Sequence, residues 1–259
     1  MDIIDKLKNE AIANNGINVD EALALFIEGA DRPFRVMAAA SEIREHYKER
    51  KIILCGIINA KSGKCPENCT FCAQSAHYET GITAYPFMKA GPIIAQAEQA
   101  LRDGAEMFGL VTSGKTIRTQ KEWAQILQVI GKISDMGLKP CASLGIIDYA
   151  KAAELKAAGL YRYHHNMETS RSYFPSVCTT HSFAESMETV RAAKKAGLTV
   201  CSGGIIGLGE GITHRIELAD TLRELDVDSV PVNILTPIKG TPLARAVPLR
   251  PLEILVTIC

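Results

Sequence analysis

The chain has 259 residues, and its 29 basic and 29 acidic side chains give a formal net charge of zero. Proteins that bind nucleic acids or anionic membranes through bulk charge carry an excess of Lys and Arg, so neither class is expected. With 47% hydrophobic and 22% charged residues, the composition is that of a globular protein. The sequence has no apolar run of about 18 residues, and its start lacks the apolar segment of a signal peptide, which predicts a cytoplasmic protein.

The first fifty residues are predicted to be helical. Ile3, Ile4 and Leu7 recur at helical spacing, and Asp20 is the expected N-cap of a second helix. The pattern changes at Lys51, where a short run rich in β-branched residues is typical of a buried strand. We therefore divide the chain into an N-terminal helical segment, residues 1–50, and a second domain, residues 51–259.

A repeated unit follows this first strand, in which a helix rich in Ala, Leu and Lys ends at a glycine and an apolar strand begins directly afterwards. The glycines are Gly104, Gly137, Gly159 and Gly197. Glycine just beyond a helix adopts the left-handed conformation that ends it. Strands that alternate with helices predict a parallel sheet with right-handed crossovers. Six strands are expected, beginning near residues 52, 106, 138, 160, 198 and 229.

Six consecutive units favour an α/β fold with a TIM-type (β/α) barrel over a doubly wound sheet. A complete barrel has eight units, so about six of the eight are present. The apolar helix predicted at residues 252–259 has no following strand. We expect either a partial barrel, incomplete at its C-terminus, or a fragment of a longer chain, and we favour the fragment.

Polar residues follow the predicted strands. In a barrel the carboxyl ends of the strands share one rim, and this rim carries the chemistry. We therefore expect an active face at this rim. The polar residues at the strand ends are Asn59, Thr112, Ser113, Ser143, residues 164–168, Ser202, Gly203 and Asn233.

Three cysteines, Cys65, Cys69 and Cys72, lie in a short loop after the first strand. Such a loop can present three thiolates to an iron–sulfur cluster, and a cluster of four irons would keep one iron free of protein ligands. An open position of this kind is where metal centres act on a substrate. Two alternatives remain: a zinc site completed by Cys55 or His77, although zinc cysteines usually occur as separated pairs, and structural thiols without a metal.

The spacing Cys-x₃-Cys-x₂-Cys after the first strand of a barrel resembles the signature of radical S-adenosylmethionine enzymes. The wider sequence at residues 59–69 is similar to the biotin synthase family in particular. Three later segments agree with that family, at residues 165–170, 201–210 and 230–235, the last followed by residues 239–243. The resemblance covers about residues 40 to 245. The cysteine motif alone would identify only the superfamily, whereas four matching segments in order are far more specific.

This resemblance implies that Cys65, Cys69 and Cys72 hold a [4Fe–4S] cluster whose open iron binds S-adenosylmethionine. Electron transfer from the cluster would then give methionine and a 5′-deoxyadenosyl radical. It further implies that Asn166 and Asn233 bind the substrate, with Asn233 on the ureido ring of dethiobiotin. An electron donor such as flavodoxin or ferredoxin and a homodimer are also implied. The residues expected to contact S-adenosylmethionine are Phe71, Asn166, Glu168, Gly203, Ile205, Gly207 and Glu210.

The remaining cysteines depart from the family pattern. The family usually holds a [2Fe–2S] cluster with three strand cysteines and an arginine, and Cys141 and Cys201 match two of those cysteines. The third position is Gly109, and the arginine would lie beyond residue 259. We predict an auxiliary iron–sulfur cluster of a different type on Cys141, Cys178 and Cys201, as the sulfur donor. The alternative is that all three are buried core thiols.

The resemblance therefore implies sulfur insertion that converts dethiobiotin to biotin. Two other functions stay open. One is a different radical S-adenosylmethionine reaction, such as that of a related maturase or mutase, and the other is an inactive protein in which the cluster is structural. Cys55 is assigned to the core, and His164 and Cys259 receive no role.

Overall fold

The computed structural model describes residues 2–259, and it begins with three helices. These are α1 (Ile3–Ile12), α2 (Val19–Asp31) and α3 (Pro33–Lys48). The predicted helical start is confirmed, but the N-cap of α2 is Asn18 rather than Asp20. The Asn18 side chain accepts a hydrogen bond from the Glu21 backbone, and the Glu21 side chain accepts one from the Asn18 backbone, which is a capping box. Asp20 lies in the first turn, where its charge favours the helix dipole.

Strands and helices alternate through the rest of the chain. The strands are β1 (Cys55–Lys61), β2 (Met107–Thr112), β3 (Lys139–Ser143), β4 (Arg162–His164), β5 (Thr199–Cys201), β6 (Gly204–Ile206) and β7 (Val232–Ile234). The helices are α4 (Ala90–Arg102), α5 (Gln120–Asp135), α6 (Tyr149–Ala157), α7 (Phe183–Lys195), α8 (Ile212–Glu224) and α9 (Pro251–Ile258). The four glycines predicted to end helices all have positive φ angles, between 75° and 96°. The predicted repeating unit is therefore confirmed.

All the strand pairs are parallel. β1 to β5 form one sheet in chain order, and β6 pairs with β7. Isolated bridges from Cys201 to Ser229 and from Glu168 to Gly204 continue the layer from one sheet to the other. The expected fifth strand is thus split into β5 and β6 at residues 202–203. Strand β5 pairs with β4, whereas the Ser202 N–H donates a hydrogen bond to the Ser229 carbonyl oxygen, in the segment before β7. The α/β barrel-type architecture is confirmed, with strands at the six predicted positions.

The first strand begins later than predicted. Strand β1 starts at Cys55, and Ile52 is 76% exposed. The apolar run before Cys55 has no strand beside it, because β2 begins only at Met107, the register partner of Cys55. The Leu54 carbonyl still accepts hydrogen bonds from the backbone N–H groups of Glu106 and Met107.

The sheet has one face buried beneath helices and an opposite, inner face. Phe108, Leu110, Ala142, Tyr163 and Val200 are buried in the main hydrophobic core with residues of the surrounding helices. Because side chains alternate along a strand, the residues between these project to the other side. The inner face therefore carries the polar and thiol side chains of β1 to β5.

The N-terminal helices pack against the end of the chain. Helix α2 contacts α8 and α9, and α3 also contacts α9. Gly29 in α2 lies close to Val256, and Arg223 donates a hydrogen bond of 2.7 Å to the Ile17 carbonyl oxygen. The division into domains at residue 50 stays a prediction. Within residues 2–259, no helix is both long enough and apolar enough to cross a membrane.

Candidate iron–sulfur and S-adenosylmethionine site

The three-cysteine loop follows β1 and folds tightly on itself. Cys65 donates a backbone hydrogen bond of 3.0 Å to Gln74 and accepts one of 2.8 Å from Ala76, and Cys72 donates one of 3.0 Å to Cys69. The loop begins at Gly63, whose φ of 72° suits glycine and whose missing side chain leaves room for Ala84. The backbone therefore holds the three thiols in a wrapped turn at the carboxyl end of β1.

A second loop, residues 177–181, supports this turn from the carboxyl side of β4. The Thr70 N–H donates a hydrogen bond of 2.9 Å to the Val177 carbonyl oxygen, and the Asn68 N–H donates one of 3.1 Å to Thr180 Oγ1. In return, the Thr179 N–H donates one of 2.9 Å to Asn68 Oδ1. These contacts join two segments more than a hundred residues apart and fix the orientation of the cysteine loop.

The arrangement of the thiols favours a cluster over a single ion. Among residues 2–259, the only three Cys, His, Asp or Glu side chains whose ligand atoms all lie within 4.8 Å of one another are Glu67, Cys178 and His181. Cys65, Cys69 and Cys72 are therefore spread more widely than the ligands of one zinc ion, which lie about 2.3 Å from the metal when they are thiolates. Of the two fourth zinc ligands considered above, His77 is engaged, since its Nε2 lies 2.9 Å from the Pro66 carbonyl oxygen. Cys55 lies at the start of β1, at the opposite end of the strand from the loop.

Burial makes all three loop thiols poor acids without a metal. It raises the pKa of Cys65 and Cys72. The pKa of Cys69 is raised furthest, first by a hydrogen bond with the Cys178 thiol and then by burial. Bound iron supplies the positive charge that stabilises thiolates in such a setting. The donor set thus fits a [4Fe–4S] cluster.

The predicted ribose-binding pair, Asn166 and Glu168, lies on the same rim. Glu168 has a φ of 65° and forms a backbone bridge with Gly204. Asn166 Oδ1 accepts a hydrogen bond of 3.2 Å from the Gly203 N–H, and Asn166 Nδ2 lies 3.5 Å from Glu168 Oε2. Burial raises the pKa of Glu168 to about 7. Its charge also acts on the Cys69 and Cys72 thiols, which places the carboxylate beside the cysteine loop.

The glycines after β5 allow close backbone approach. A Cβ atom at Gly203 would collide with the Pro231 carbonyl oxygen, and one at Gly204 would collide with Leu218 and the Glu168 carbonyl oxygen. Gly207 has a φ of 93°, and Ile205 is only partly buried. Gly203 and Gly204 are buried by this close packing, so Ile205 and Gly207 form the accessible part of the glycine segment, which suits a flat adenine ring.

Glu210 is engaged elsewhere. Both carboxylate oxygens accept hydrogen bonds from the Gly207 N–H, and Arg215 Nε donates one of 2.8 Å to the same carboxylate. The Glu210 and Arg215 side chains are 2% and 5% exposed. Its contacts assign Glu210 to the shape of the glycine turn, so the predicted direct contact with S-adenosylmethionine is not supported.

Asn233 and Phe71 are accessible to small molecules. Asn233 lies on β7 in register with Ile205, and its Nδ2 atom is 3.5 Å from the Gly204 carbonyl oxygen. Phe71 is partly buried within the cysteine loop. Asn233 therefore lies next to the surface formed by the glycines, as the substrate role requires.

A second thiol group lies on the inner face of the sheet. Cys141 interacts with Cys55 and with Cys201, and Cys55 also acts electrostatically on Cys201. Arg162, the register partner of Cys141, acts on all three thiols and favours their charged forms. The hydrogen bond with Cys141 lowers the pKa of Cys55 to about 7. The prediction that Cys55 is a core residue is wrong, because the residue is exposed on this face.

The structure does not bring Cys178 to this second group. Cys178 contacts Cys69, His181, Thr180 and Asn68, and it follows β4 at the rim. Cys141 lies within β3, below the rim, with Cys55 and Cys201 around it. The predicted set of Cys141, Cys178 and Cys201 is thus corrected: sequence order showed that Cys178 opens on the rim, but not which thiols it faces.

Comparison with known proteins identifies the family. Residues 60–222 match the model of the Radical SAM superfamily. A biotin synthase from Geobacter metallireducens is 48% identical over 256 residues, which cover 98% of this chain and 78% of that protein. A biotin synthase from Pelotomaculum thermopropionicum is 51% identical over 242 residues, which cover 93% of this chain and 75% of that protein. The chain belongs to the biotin synthase family.

Solved structures share the fold of this biotin synthase family member. Methylornithine synthase matches 97% of this chain and 75% of its own length, with a TM-score of 0.83 at 22% identity. The hydrogenase maturase HydG matches 99% of this chain and 60% of its own length, with a TM-score of 0.84 at 16% identity. At these identities the likeness shows the fold alone. Family membership confirms a radical S-adenosylmethionine enzyme that uses a [4Fe–4S] cluster, and the inactive structural alternative is wrong.

Proposed function

We propose that this enzyme inserts one sulfur atom into dethiobiotin to form biotin. The proposal rests on one observation above all: about half of the residues are identical to biotin synthases over nearly the whole chain. The reaction replaces two unactivated C–H bonds with two C–S bonds. Acid–base groups cannot break such bonds, and the bound cluster and S-adenosylmethionine would supply the radical chemistry instead.

The chain's own residues would hold and orient these groups. Cys65, Cys69 and Cys72 would ligate three irons of the cluster, and Glu168 lies beside the loop that carries them. The Glu168 carboxylate, when ionised, can accept hydrogen bonds from both ribose hydroxyls. Asn166 fixes the backbone of Gly203 and would contact S-adenosylmethionine and substrate together, beside Phe71 and the glycine surface of Gly203, Ile205 and Gly207.

Asn233 would bind the ureido ring of dethiobiotin. Its amide can donate and accept at once, which matches a urea. Its place on β7 beside Ile205 puts it next to the proposed adenine surface, so substrate and radical source would be neighbours. An auxiliary iron–sulfur cluster on the inner face would deliver the sulfur, and Cys141 and Cys201 both project there.

The remaining parts of the proposal concern partners and location. An electron donor such as flavodoxin or ferredoxin would reduce the [4Fe–4S] cluster, and the working form would be a homodimer in the cytoplasm. Eight free cysteines and two proposed clusters suit a reducing compartment. No nucleic-acid or membrane partner is proposed, in keeping with the balanced charge.

A product assay tests this function against the related maturase or mutase reactions. The anaerobically reconstituted protein is given dithionite, S-adenosylmethionine and dethiobiotin, and biotin and 5′-deoxyadenosine are measured together. We expect both products in the intact protein, and neither in Cys69→Ser. Formation of 5′-deoxyadenosine with no biotin, under conditions where both proposed clusters are loaded, would contradict sulfur insertion.

A further inference from the structure

On the inner face of the sheet, Gly109 stands at the position where the family has a cysteine, and Cys55 lies on the neighbouring strand. Gly109 on β2 is in register with Cys141, and the Cβ position of Gly109 is 3.9 Å from Cys141 Cβ. A cysteine at Gly109 would therefore have faced Cys141 directly. The neighbouring strand β1 pairs Ile57 with Gly109, and Cys55 lies two residues earlier on the same face.

Three thiols meet on this face. Cys55 and Cys141 project from the same face on either side of Gly109, and Cys141 is 8% exposed. Cys201 on β5 is on this face too, in register with His164 and bridged to Ser229. The three ligand atoms are not all within 4.8 Å of one another. One ion held by three thiolates at about 2.3 Å would need them closer together, whereas the thiolate ligands of an iron–sulfur cluster bind different irons.

Arg162 supplies positive charge to the same place. It is in register with both Cys141 and Thr199, and its guanidinium acts on all three thiols. Thiolates and sulfide carry negative charge, so a cluster here would need a cation for compensation. The part of the chain that the structure describes thus places three thiols and one guanidinium on one face of the sheet.

We propose that Cys55, Cys141 and Cys201 are the thiolate ligands of the auxiliary cluster, with strand β1 supplying the ligand that Gly109 cannot supply. This rests on the proposed sulfur-insertion function. Arg162 is a positioning residue that compensates the charge of the cluster. Cys178 is excluded from the ligand set because it faces Cys69.

Iron and sulfide analysis of the anaerobically reconstituted full chain tests the assignment. Cys55→Ser, Cys141→Ser and Cys201→Ser are each expected to lose the iron of one cluster, while the Mössbauer signal of the [4Fe–4S] cluster stays. Cys178→Ser is the matched control and is expected to keep the iron of both clusters. If Cys55→Ser retains full iron and sulfide, the assignment is wrong.

A rescue variant separates loss of a ligand from loss of folding. Gly109 does not have a positive φ, and its Cβ position meets Ile57 at 3.4 Å, so a side chain fits with small adjustment. The double variant Cys55→Ser/Gly109→Cys is expected to regain the lost iron. Circular dichroism shows whether the double variant folds. If it folds but holds no more iron than Cys55→Ser, a cysteine at residue 109 does not replace Cys55 as a ligand, which would count against the proposal.

Alkylation of the wild-type protein gives a readout that needs no variant. Cys55 and Cys259 are both exposed, so iodoacetamide should label both in the cluster-free protein. After reconstitution, Cys55 is expected to be protected, whereas Cys259 stays reactive. Equal labelling of Cys55 in both states would overturn the proposal. If the wild type forms biotin while Cys55 is not a ligand, the ligand assignment fails and the proposed function stands.

Discussion

The Cys178 thiol lies 3.2 Å from His181 Nδ1 and is also hydrogen-bonded to Cys69, a proposed cluster ligand. His181 Nδ1 in turn lies 2.5 Å from Glu67 Oε2, and the two side chains are only 11% and 10% exposed. Cys178 therefore forms part of a buried polar network that contacts the cysteine loop from outside. The Cys69 thiol, His181 and Thr180 lower the pKa of Cys178 to about 3, so Cys178 accepts hydrogen bonds as a thiolate. Its negative charge opposes the reduction of a cluster beside it.

Cys178→Ala removes this charge and should therefore make the reduction potential of the [4Fe–4S] cluster less negative, with the iron content unchanged. Redox titration followed by electron paramagnetic resonance measures the potential. Cys178→Ser also removes the charge and should shift the potential in the same direction. Thr179→Ala removes a loop contact with Asn68 without changing a thiol, and it should have no effect. The same potential in Cys178→Ala and wild type would show that Cys178 does not act on the cluster.

Binding of S-adenosylmethionine should depend on pH through Glu168. Burial raises the pKa of this carboxyl to about 7, so it is protonated below that pH and loses an acceptor for the ribose hydroxyls. The dissociation constant should then rise by up to about tenfold per pH unit as the pH falls below 7. Glu168→Gln should bind weakly at every pH. Parallel profiles for Glu168→Gln and wild type would assign the pH dependence to another group.

The same raised pKa predicts a change in stability with the opposite sign. Below pH 4.5, the ordinary pKa of this carboxyl, Glu168 is protonated in both the folded and unfolded states. Between pH 4.5 and about 7 the folded state binds more protons than the unfolded state does. The free energy of unfolding should therefore decrease as the pH rises through this range. Glu168→Gln should remove this decline from urea unfolding curves of the cluster-free protein.

The buried pair of Glu210 and Arg215 should dominate the stability of the C-terminal part of the chain. Arg215 also donates hydrogen bonds to Glu253 and Thr257, so it joins α8 to α9. Arg215→Ala leaves a buried carboxylate without its partner and should lower the free energy of unfolding by about 3–5 kcal/mol. Arg191→Ala breaks an exposed pair on α7 and should change it by about 0–1 kcal/mol. If urea denaturation showed similar decreases in the free energy of unfolding for Arg215→Ala and Arg191→Ala, the buried pair would not be the cause.

Gly203→Ala should weaken the binding of S-adenosylmethionine. The added Cβ would displace the Pro231 carbonyl oxygen and move β7 away from β6. Gly91→Ala in α4 is the control, because nothing lies within 4 Å of its Cβ position and helix propensity favours Ala. Calorimetric titration should show normal affinity only in the control. Normal affinity in Gly203→Ala would show that the strand pair tolerates the shift.

The sequence alone predicted the repeating architecture and the first cluster, because both are local. A glycine after each helix and an apolar strand behind it are visible within a few residues, and Cys65, Cys69 and Cys72 lie on one short loop. The rim position of Asn166, Glu168 and Gly203 followed from the rule that parallel strands end on one side.

The resemblance predicted Cys141 and Cys201 of the second thiol group, but Cys55 and Arg162 could not be predicted, because their place in the group depends on register. Cys55 and Arg162 are over a hundred residues apart, and the predicted start of β1 gave no pairing to decide which side chains share a face. Glu67 and His181 meet only because two loops dock at the rim. The alternation of Cys55, Ile57 and Asn59 along one strand was the available signal, once β1 was known to begin at Cys55.

Transfer of a sulfur isotope shows whether the auxiliary cluster of this protein supplies the sulfur atom of biotin. The protein is reconstituted with sulfide enriched in a heavy sulfur isotope, freed of excess sulfide and given dethiobiotin, S-adenosylmethionine and dithionite without added sulfur. The mass of the biotin formed is then measured. We expect biotin that carries the heavy isotope, with a parallel loss of sulfide from the protein. Biotin with sulfur of ordinary mass, or turnover of S-adenosylmethionine that never gives biotin, would contradict this expectation.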